Sequence, residues 1–364
     1  MTPPPSSARF WDPAALARRA PALRARGRLL RAVRGWFEAK DFTEVETPAL
    51  QLSPGMEPHL AAFATRLLPP GAHGAAAEPD AGAERYLHTS PEFAMKKLLA
   101  GGRGLPGFER LWQLAPVFRN AEGSPTHHPE FRMLEWYRAD APLDALIADC
   151  QGLVRAAADA ADARRLTHRG VECDPFADWE VMRVADAFAR WADIDLPAAT
   201  AGDPLDPDPG PLAAEAQRLG VRTAKDDRWE DLFFRLFEAR IEPHLGRAVP
   251  TVLTDWPIAM AALSRAKPDD PRLAERFELY IAGLELANAF GELADATVQR
   301  RRFEADMALR ERLYGTRLPI DEDFLAAVDA LPPNAAGIAL GFDRLVMLAA
   351  GADDIRDALW AWVE

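Results

Sequence analysis

The stretch FRNAEGSPTHHPEF occupies residues 118–131, between two segments whose residues favour β-strands, ERLWQLAPVF and EFRMLEWY. The stretch between them is too polar to be core, so it predicts a β-hairpin with a long tip. Arg119 stands at the mouth of the loop, where its guanidinium can bind a phosphate through two charge-assisted hydrogen bonds. A hairpin with a solvated arginine is the alternative interpretation of this motif alone.

The returning strand of this hairpin presents one face rich in functional groups. Successive side chains of a strand alternate between its two faces, so Phe131, Met133, Glu135 and Tyr137 share one side. That side offers an aromatic ring, a carboxylate and a phenol in a row. It is a candidate wall for a binding site.

A second motif, RFELYIAGLELANAFGEL, covers residues 276–293. A tight turn at its central Ala-Gly pair would bring Glu278, Tyr280 and Glu285 to one side of a hairpin. Two carboxylates on one face repel each other unless a cation lies between them, and hard oxygen ligands suit Mg²⁺. The motif therefore predicts a metal site formed by Glu278 and Glu285, with an exposed acidic edge as the alternative.

A third motif, GIALGFDRLVMLAAG, covers residues 337–351. Gly337, Ala339 and Gly341 leave one face of a short strand without side-chain bulk, so a flat ligand could lie against the backbone. A helix is predicted to begin near Asp343, with Arg344 in its first turn, where the helix dipole disfavours a cation. An arginine at that place indicates an anionic partner such as a phosphate, and ordinary strand-to-helix packing is the alternative.

The remaining elements are predicted from periodicity and from turn residues. Apolar residues at helical spacing predict a helix over residues 23–40, and FTEVETPAL predicts a strand that stops at Pro48. Ser90 could cap a helix that begins at Pro91. Two further helices are predicted over residues 144–165 and 229–239, and two surface loops over residues 68–84 and 200–211.

Bulk composition restricts the class of protein. The chain of 364 residues is 49% hydrophobic and 27% charged, which is typical of a globular protein. A net charge of −13 argues against loose electrostatic binding of nucleic acid. Cys150 and Cys173 lack zinc or disulfide spacing and predict free thiols, and the seven histidines predict no zinc site. Without an apolar signal segment or a run long enough to span a membrane, the sequence predicts a soluble cytoplasmic protein.

Together, two arginines suited to phosphate, a carboxylate pair suited to Mg²⁺ and a glycine-bare strand match the needs of ATP. Neither a Walker P-loop nor a Rossmann GxGxxG is present. The sequence resembles the class II aminoacyl-tRNA synthetases, specifically their lysyl branch. FRNAEGSPTHHPEF resembles the second signature motif of that class, GIALGFDRL the third, and the helix and strand of residues 23–48 the first. SPEFAMK, PEFRMLEWY and GLELANAFGEL narrow the resemblance to enzymes that activate lysine.

The resemblance implies a fold, a domain division and a set of site residues. The implied fold is an α+β class II synthetase catalytic domain over residues 23–364, a mostly antiparallel sheet flanked by helices, after an N-terminal extension of residues 1–22. The implied catalytic residues are Arg119 and Arg344. The implied ATP site, with Phe131 stacked on adenine, consists of Arg119, Asn120, Ala121, His128, Phe131, Glu278, Leu279, Gly341 and Arg344. The implied amino-acid site consists of Ser90, Pro91, Glu92, Tyr137, Glu285, Asn288 and Glu292.

Within the lysyl branch, the sequence is similar to the elongation factor P (R)-β-lysine ligases. A lysyl-tRNA synthetase carries an anticodon-binding domain ahead of its catalytic domain, whereas here too few residues precede Leu23 for a domain. Ala339 also supports the similarity to these ligases, because lysyl synthetases usually have glycine at that position. The resemblance implies ATP and Mg²⁺ as cofactors, (R)-β-lysine or lysine as the substrate, elongation factor P as the partner, no stable tRNA binding and a homodimer. Two departures, Ala121 in place of an acidic residue and Ala289 in place of glycine, leave the details of the pocket open.

Three other interpretations of the sequence remain. The first is a truncated synthetase that charges tRNA. The second is a ligase that makes a free lysine amide. The third is a non-catalytic paralogue that binds amino acids, against which the presence of Arg119, Arg344, Glu278 and Glu285 argues.

Overall fold

A computed structural model describes residues 9–71 and 82–363 of the chain. The predicted surface loop over residues 68–84 lies largely outside these ranges. The α-helices of the described residues, α1 to α9 in chain order, are Pro13–Glu38, Glu92–Gly101, Leu143–Ala160, Val184–Ala192, Gly210–Arg218, Trp229–Leu236, Ala296–Tyr314, Glu322–Ala330 and Phe342–Ala350.

Strands alternate with these helices along the chain. The strands of the described residues, β1 to β15, are Thr43–Glu44, Leu50–Gln51, Phe63–Leu67, Ala83–Leu87, Arg110–Phe118, Glu130–Arg138, Leu166–His168, Val171–Cys173, Glu180–Arg183, Gly202–Asp203, Asp206–Pro207, Thr251–Pro257, Leu273–Ile281, Leu284–Gly291 and Ala336–Gly341.

Eight of the strands form the central sheet, in the order β1-β5-β6-β15-β14-β13-β12-β9. The pairs β1–β5 and β12–β9 at the two edges are parallel, and every pair between them is antiparallel. The predicted α+β class with a mostly antiparallel sheet is therefore confirmed. The third motif supplies β15, which lies between the hairpin of the first motif and the hairpin of the second.

The two faces of the sheet have different partners. Helices α1, α3 and α9 cover one face, and their apolar side chains form the largest core with strand residues such as Trp136, Phe277 and Ile338. A second core joins α4, α5 and α6 to β12, and a third joins α2, α7 and α8. The other face of the central strands carries the polar side chains of the first two motifs, because strand side chains alternate.

Several predicted boundaries differ from the structure. Helix α1 begins at Pro13, capped by the Asp12 carboxylate, so the predicted domain boundary at residue 23 falls inside this helix. The segment FTEVETPAL is not one strand: only Thr43–Glu44 pairs with the central sheet, and Leu50–Gln51 belongs to a separate three-stranded sheet. The predicted loop over residues 200–211 contains a two-strand pair, β10 and β11.

Other predictions from the sequence agree with the structure. The helix after Ser90 is present, with the Ser90 hydroxyl accepting a hydrogen bond of 3.0 Å from the Glu92 N–H. Cys150 and Cys173 are free and buried, as predicted. In the parts of the chain that the structure describes, no helix is both long and apolar enough to cross a membrane.

Candidate active site

The two predicted hairpins bring the motif residues to one face of the sheet. Strands β5 and β6 pair over their full length, from Arg110 opposite Arg138 to Phe118 opposite Glu130. Strands β13 and β14 meet at Ala282-Gly283, where both residues have a positive φ, as a tight two-residue turn requires.

A register shift in the second hairpin refines the prediction. Tyr280 pairs with Glu285, but one extra residue in β14 then places Asn288 opposite Glu278. The bulge therefore brings an amide beside the carboxylate that the sequence assigned to the metal.

All three motifs line one cavity of about 440 Å³ on this face. The predicted site residues that line it are Ser90, Glu92, Arg119, His128, Phe131, Glu285, Asn288, Gly341 and Arg344. Residues from opposite ends of the chain thus share one space, and their individual roles stay predictions.

Arg119 lies over the aromatic ring of Phe131. Its guanidinium carbon is 5.3 Å from the ring centroid, and its Nε donates a hydrogen bond of 3.4 Å to the Thr89 carbonyl. Within residues 9–71 and 82–363, it forms no ion pair with a carboxylate. The charge of Arg119 is therefore free for an anionic ligand.

Arg344 also lines the cavity, where neutral acceptors hold its guanidinium. It donates to the Glu285 carbonyl at 2.6 Å, to the Thr126 carbonyl at 3.3 Å and to Nε2 of His127 at 2.6 Å. Burial and the charge of Arg344 lower the pKa of His127, which keeps that imidazole neutral and able to accept. No carboxylate of the described chain pairs with Arg344, which agrees with the prediction of an outside anion.

A buried lysine lies between two carboxylates, of which Glu92 lines the cavity and Glu292 lies behind the lining; we call this cluster the floor of the cavity. The Lys96 ammonium contacts Glu92 and Glu292, each at 2.5 Å, and only 2% of its side chain is exposed. Burial lowers the pKa of Lys96, but the charges of Glu292 and Glu92 outweigh burial and raise it overall. Burial raises the pKa of Glu292 to about 7, against the lowering effect of Lys96.

A third carboxylate, Glu135, joins this floor from β6. It accepts hydrogen bonds from the hydroxyl of Ser90 and, at 3.0 Å, from that of Tyr137. Burial and the charge of Glu92 raise the pKa of Glu135 to about 8. The floor therefore contains three carboxylates, of which Glu135 is mostly protonated at neutral pH, and a single lysine.

The face of β15 that lacks bulky side chains was predicted to be open to a flat ligand, and the structure shows that part of it is filled. A Cβ atom at Gly337 would lie 2.2 Å from the ring of Tyr137 and 2.4 Å from a Glu292 oxygen. The expectation that a flat ligand lies against the backbone is therefore wrong at Gly337, because those two side chains fill the space. Ala339 and Gly341 do line the cavity.

The two predicted metal ligands differ in their availability. Glu278 is ion-paired with Arg276 and accepts a hydrogen bond from the Tyr280 hydroxyl, so both of its oxygens are engaged. Burial raises the pKa of Glu278 to about 7, with Arg276 opposing the rise and Glu285 adding to it. Glu285 lines the cavity with no partner for its carboxylate among the described residues. The Glu285 carboxylate is therefore open to a ligand, whereas the Glu278 carboxylate already has a partner on each oxygen; the metal-binding roles of both stay predictions.

Seven predicted site residues do not line the cavity. Tyr137, Glu278 and Glu292 are buried outside its lining, where they contact Glu135, the lining residue Arg276 and Lys96, respectively. Pro91 is buried at the start of α2, and Asn120 and Ala121 are exposed on the loop of the first hairpin. The Leu279 side chain packs in the main core on the opposite face, so any contact with a ligand would be through its backbone.

Sequence reasoning assigned no role to Glu57, Lys96, Glu135 or Arg276, which the structure places in or directly behind the cavity. The spacing of Glu92 and Lys96, four residues apart on a helix, is a signal that could have found the lysine. Glu135 was visible as the carboxylate of the strand face. The sequence has no comparable signal for Glu57.

The fold and this cavity define a class II aminoacyl-tRNA synthetase catalytic domain. The sequence model of the family "tRNA synthetases class II (D, K and N)" matches residues 8–360, so the chain belongs to that family. It is 36% identical over 357 residues to the elongation factor P–(R)-β-lysine ligase of Pectobacterium carotovorum, covering 97% of this chain and 98% of the relative. It is 37% identical over 337 residues to the ligase of the same name from Erwinia tasmaniensis, covering 92% of each. Both resemblances drawn from the sequence are confirmed.

Proposed function

We propose that this protein is an ATP-dependent ligase that adenylates (R)-β-lysine or lysine and transfers it to a lysine side chain of elongation factor P. One observation carries the proposal. Arg119 and Arg344, both without a carboxylate partner in the described chain, share a cavity with the free carboxylate Glu285 above a carboxylate-rich floor. Such a cavity suits a triphosphate beside a dicationic amino acid, and the names of the relatives support the same substrates and partner.

The first step forms the adenylate. A carboxylate oxygen of the amino acid attacks the α-phosphorus of ATP, the bond to the β-phosphate oxygen breaks, and pyrophosphate leaves. Negative charge develops on the α-phosphate oxygens, and Arg119 and Arg344 stabilise it from opposite sides. Phe131, below Arg119, offers a flat surface for adenine. No side chain acts as a nucleophile, because positioning and electrostatics supply most of the rate.

The second step forms an amide. A neutral amine of the acceptor lysine attacks the carbonyl carbon of the adenylate, AMP leaves with the electrons of the broken C–O bond, and the amine loses a proton. The acceptor is a protein, so the open mouth of the cavity must admit a lysine side chain. The carboxylates of the floor hold the distant ammonium group of the bound amino acid away from this reaction.

We propose Mg²⁺ as the metal that accompanies ATP, with Glu285 as its ligand from this chain. Mg²⁺ is commonly bound by one or two carboxylates together with substrate phosphates, and bound there it would neutralise phosphate charge. Removal of the metal with EDTA should abolish activity, and Mg²⁺ should restore it. Glu285→Gln should raise the Mg²⁺ concentration for half-maximal activity, and an unchanged concentration would exclude Glu285 as the ligand.

The decisive test measures both steps. ATP–pyrophosphate exchange should depend on (R)-β-lysine or lysine, and no exchange with either would refute the proposal. In the presence of elongation factor P, mass spectrometry should show one added lysyl or β-lysyl group on that protein. Labelled tRNA in the same mixture is the control: charging of tRNA without modification of the protein would favour a truncated synthetase instead.

We also propose a cytoplasmic homodimer formed through residues 23–48. The support is the likeness of that segment to the first signature motif of the synthetase class. Light scattering should give twice the mass of one chain, and a single-chain mass at micromolar concentration would contradict the dimer.

A further inference from the structure

Glu57 occupies a fixed position in the wall of the cavity. It lies in the connection between Leu50–Gln51 and Phe63–Leu67, and that connection is tied to α7. Arg310 of α7 donates hydrogen bonds to the carbonyls of Pro58, at 3.0 Å, and Leu60, at 2.8 Å. The Thr89 N–H donates to the Pro54 carbonyl at 2.9 Å. These backbone anchors hold Glu57 against the cavity, which it lines together with Arg119 and Glu92.

One oxygen of the Glu57 carboxylate has no partner. Its Oε2 atom is buried without a hydrogen bond, and none of the residues described by the structure forms an ion pair with it. Burial and the charge of Glu92 raise the pKa of Glu57 overall, against the lowering effects of a hydrogen bond with its own backbone and of the charges of Arg119 and Lys96. An unpartnered buried carboxylate is unfavourable, and a cationic ligand would relieve it.

Glu57 and Arg119 line one cavity, and the described structure has no ion pair between them. An amino acid carries the complementary pair, an ammonium and a carboxylate. Had the two side chains formed an ion pair, the cavity would offer nothing to either group of the ligand. Their separation instead leaves one site for an anion and one for a cation.

The floor accounts for a different ammonium group. Lys96 offsets one of the charges of Glu92 and Glu292, which leaves one unmatched negative charge there. Glu57 supplies a second carboxylate in the wall, and a bound ammonium group would favour its ionised form. Two separate anionic places match the two ammonium groups of a diamino acid.

We propose that Glu57 binds the ammonium group nearer the carboxylate of the substrate, beside Arg119, while the carboxylates of the floor bind the distant ammonium. This inference rests on the proposed function for the identity of the ligand. It assigns a specificity-determining role to a residue that the sequence motifs do not include.

The test compares ligands that have and lack the nearer ammonium. Calorimetric titration of the full chain with (R)-β-lysine, lysine and 6-aminohexanoate requires no turnover, and 6-aminohexanoate carries only the distant ammonium. Glu57→Gln keeps the size of the side chain and removes its charge. We expect it to weaken binding of the preferred diamino acid at least about tenfold, the loss of one charge-assisted hydrogen bond, and to leave 6-aminohexanoate unchanged.

Two further variants complete the design. Glu57→Asp keeps the charge and should retain part of the affinity that Glu57→Gln loses. Glu38→Gln removes an exposed carboxylate at the end of α1 and should not change the affinity for any of the three ligands. Thermal unfolding of each variant checks that the fold is retained.

The outcomes separate this inference from the proposed function. The role of Glu57 is overturned if Glu57→Gln binds the diamino acid with wild-type affinity. It is also overturned if the variant loses affinity equally for all three ligands. Either result holds even if the wild-type protein catalyses exchange. Selective loss of diamino-acid binding without any exchange supports Glu57 and refutes the adenylation. Failure of the wild-type protein to bind either diamino acid overturns both.

Discussion

Replacement of Lys96 by methionine tests the electrostatics of the cavity floor. Methionine fills similar space but leaves Glu92 and Glu292 without their cation, and the Glu292 side chain is only 1% exposed. Removal of one partner from a buried ion pair costs about 3–5 kcal/mol. A folded protein has a total free energy of unfolding of about 5–15 kcal/mol. The variant should therefore lose a large fraction of its stability at pH 8, measured by urea unfolding.

The pH dependence identifies the cause of the loss. Burial already raises the folded-state pKa of Glu292 to about 7, above its ordinary value of 4.5, and Lys96 opposes that rise. Without Lys96, the folded-state pKa rises further. The folded variant then holds a proton that the unfolded chain has released, so its stability falls as pH rises through and beyond 7. At pH 5, where Glu292 is protonated in the folded state, the loss should shrink to about 1–2 kcal/mol.

The neighbouring lysine provides a matched control. Lys97 pairs with Asp321 and Asp323 nearer the surface, and its side chain is 28% exposed. Lys97→Met should lower the free energy of unfolding by no more than about 1 kcal/mol. A loss in Lys96→Met that is equal at pH 5 and pH 8, or no larger than that of Lys97→Met, would refute the argument from unpaired carboxylates.

Three further predictions concern single positions of the cavity. In ATP–pyrophosphate exchange, the KM for lysine should fall as pH rises through about 8, because Glu135 ionises there and attracts the ammonium. Glu135→Gln should abolish that fall. Arg344→Lys should lower kcat/KM for exchange about 10²–10³-fold, because an ammonium cannot reproduce the guanidinium contacts, whereas Arg301→Lys on an exposed face should not. Gly337→Ala should destabilise the protein by about 1–3 kcal/mol in urea unfolding, because its Cβ would meet Tyr137 at 2.2 Å; full stability would contradict the close packing.

The sequence predicts the two hairpins and the final strand because each has a local cause. Alternating side chains and a polar tip specify the first hairpin, and a two-residue turn specifies the second. The order of strands in the sheet is not local information. The insertion of β15 between β6 and β14 follows from long-range pairing, and the sequence analysis does not predict it.

The composition of the cavity floor was harder to predict for a related reason. Lys96 looks like an exposed helix residue in the sequence, because its partner Glu292 lies almost 200 positions away. Glu57 sits in a segment without periodicity, whose position depends on hydrogen bonds from Arg310 of α7. Even Glu278 was assigned to a metal, because the sequence does not show that Arg276 and Tyr280 engage both of its oxygens.

Strand β15 shows why small residues at the centre of this sheet matter more than their size suggests. At one end, the missing side chain of Gly337 admits Tyr137 and Glu292, which complete the floor. In the middle, Ala339 lines the cavity, where one methyl group can change specificity by about 1–3 kcal/mol. At the other end, Gly341 lies beside Arg344, whose Cδ would be 3.5 Å from an added Cβ. One strand thus sets the space available at the amino-acid end, the wall and the phosphate end of the cavity. A Cβ added at Gly337 would clash with Tyr137 and Glu292, whereas one added at Gly341 would make only ordinary contact with Arg344.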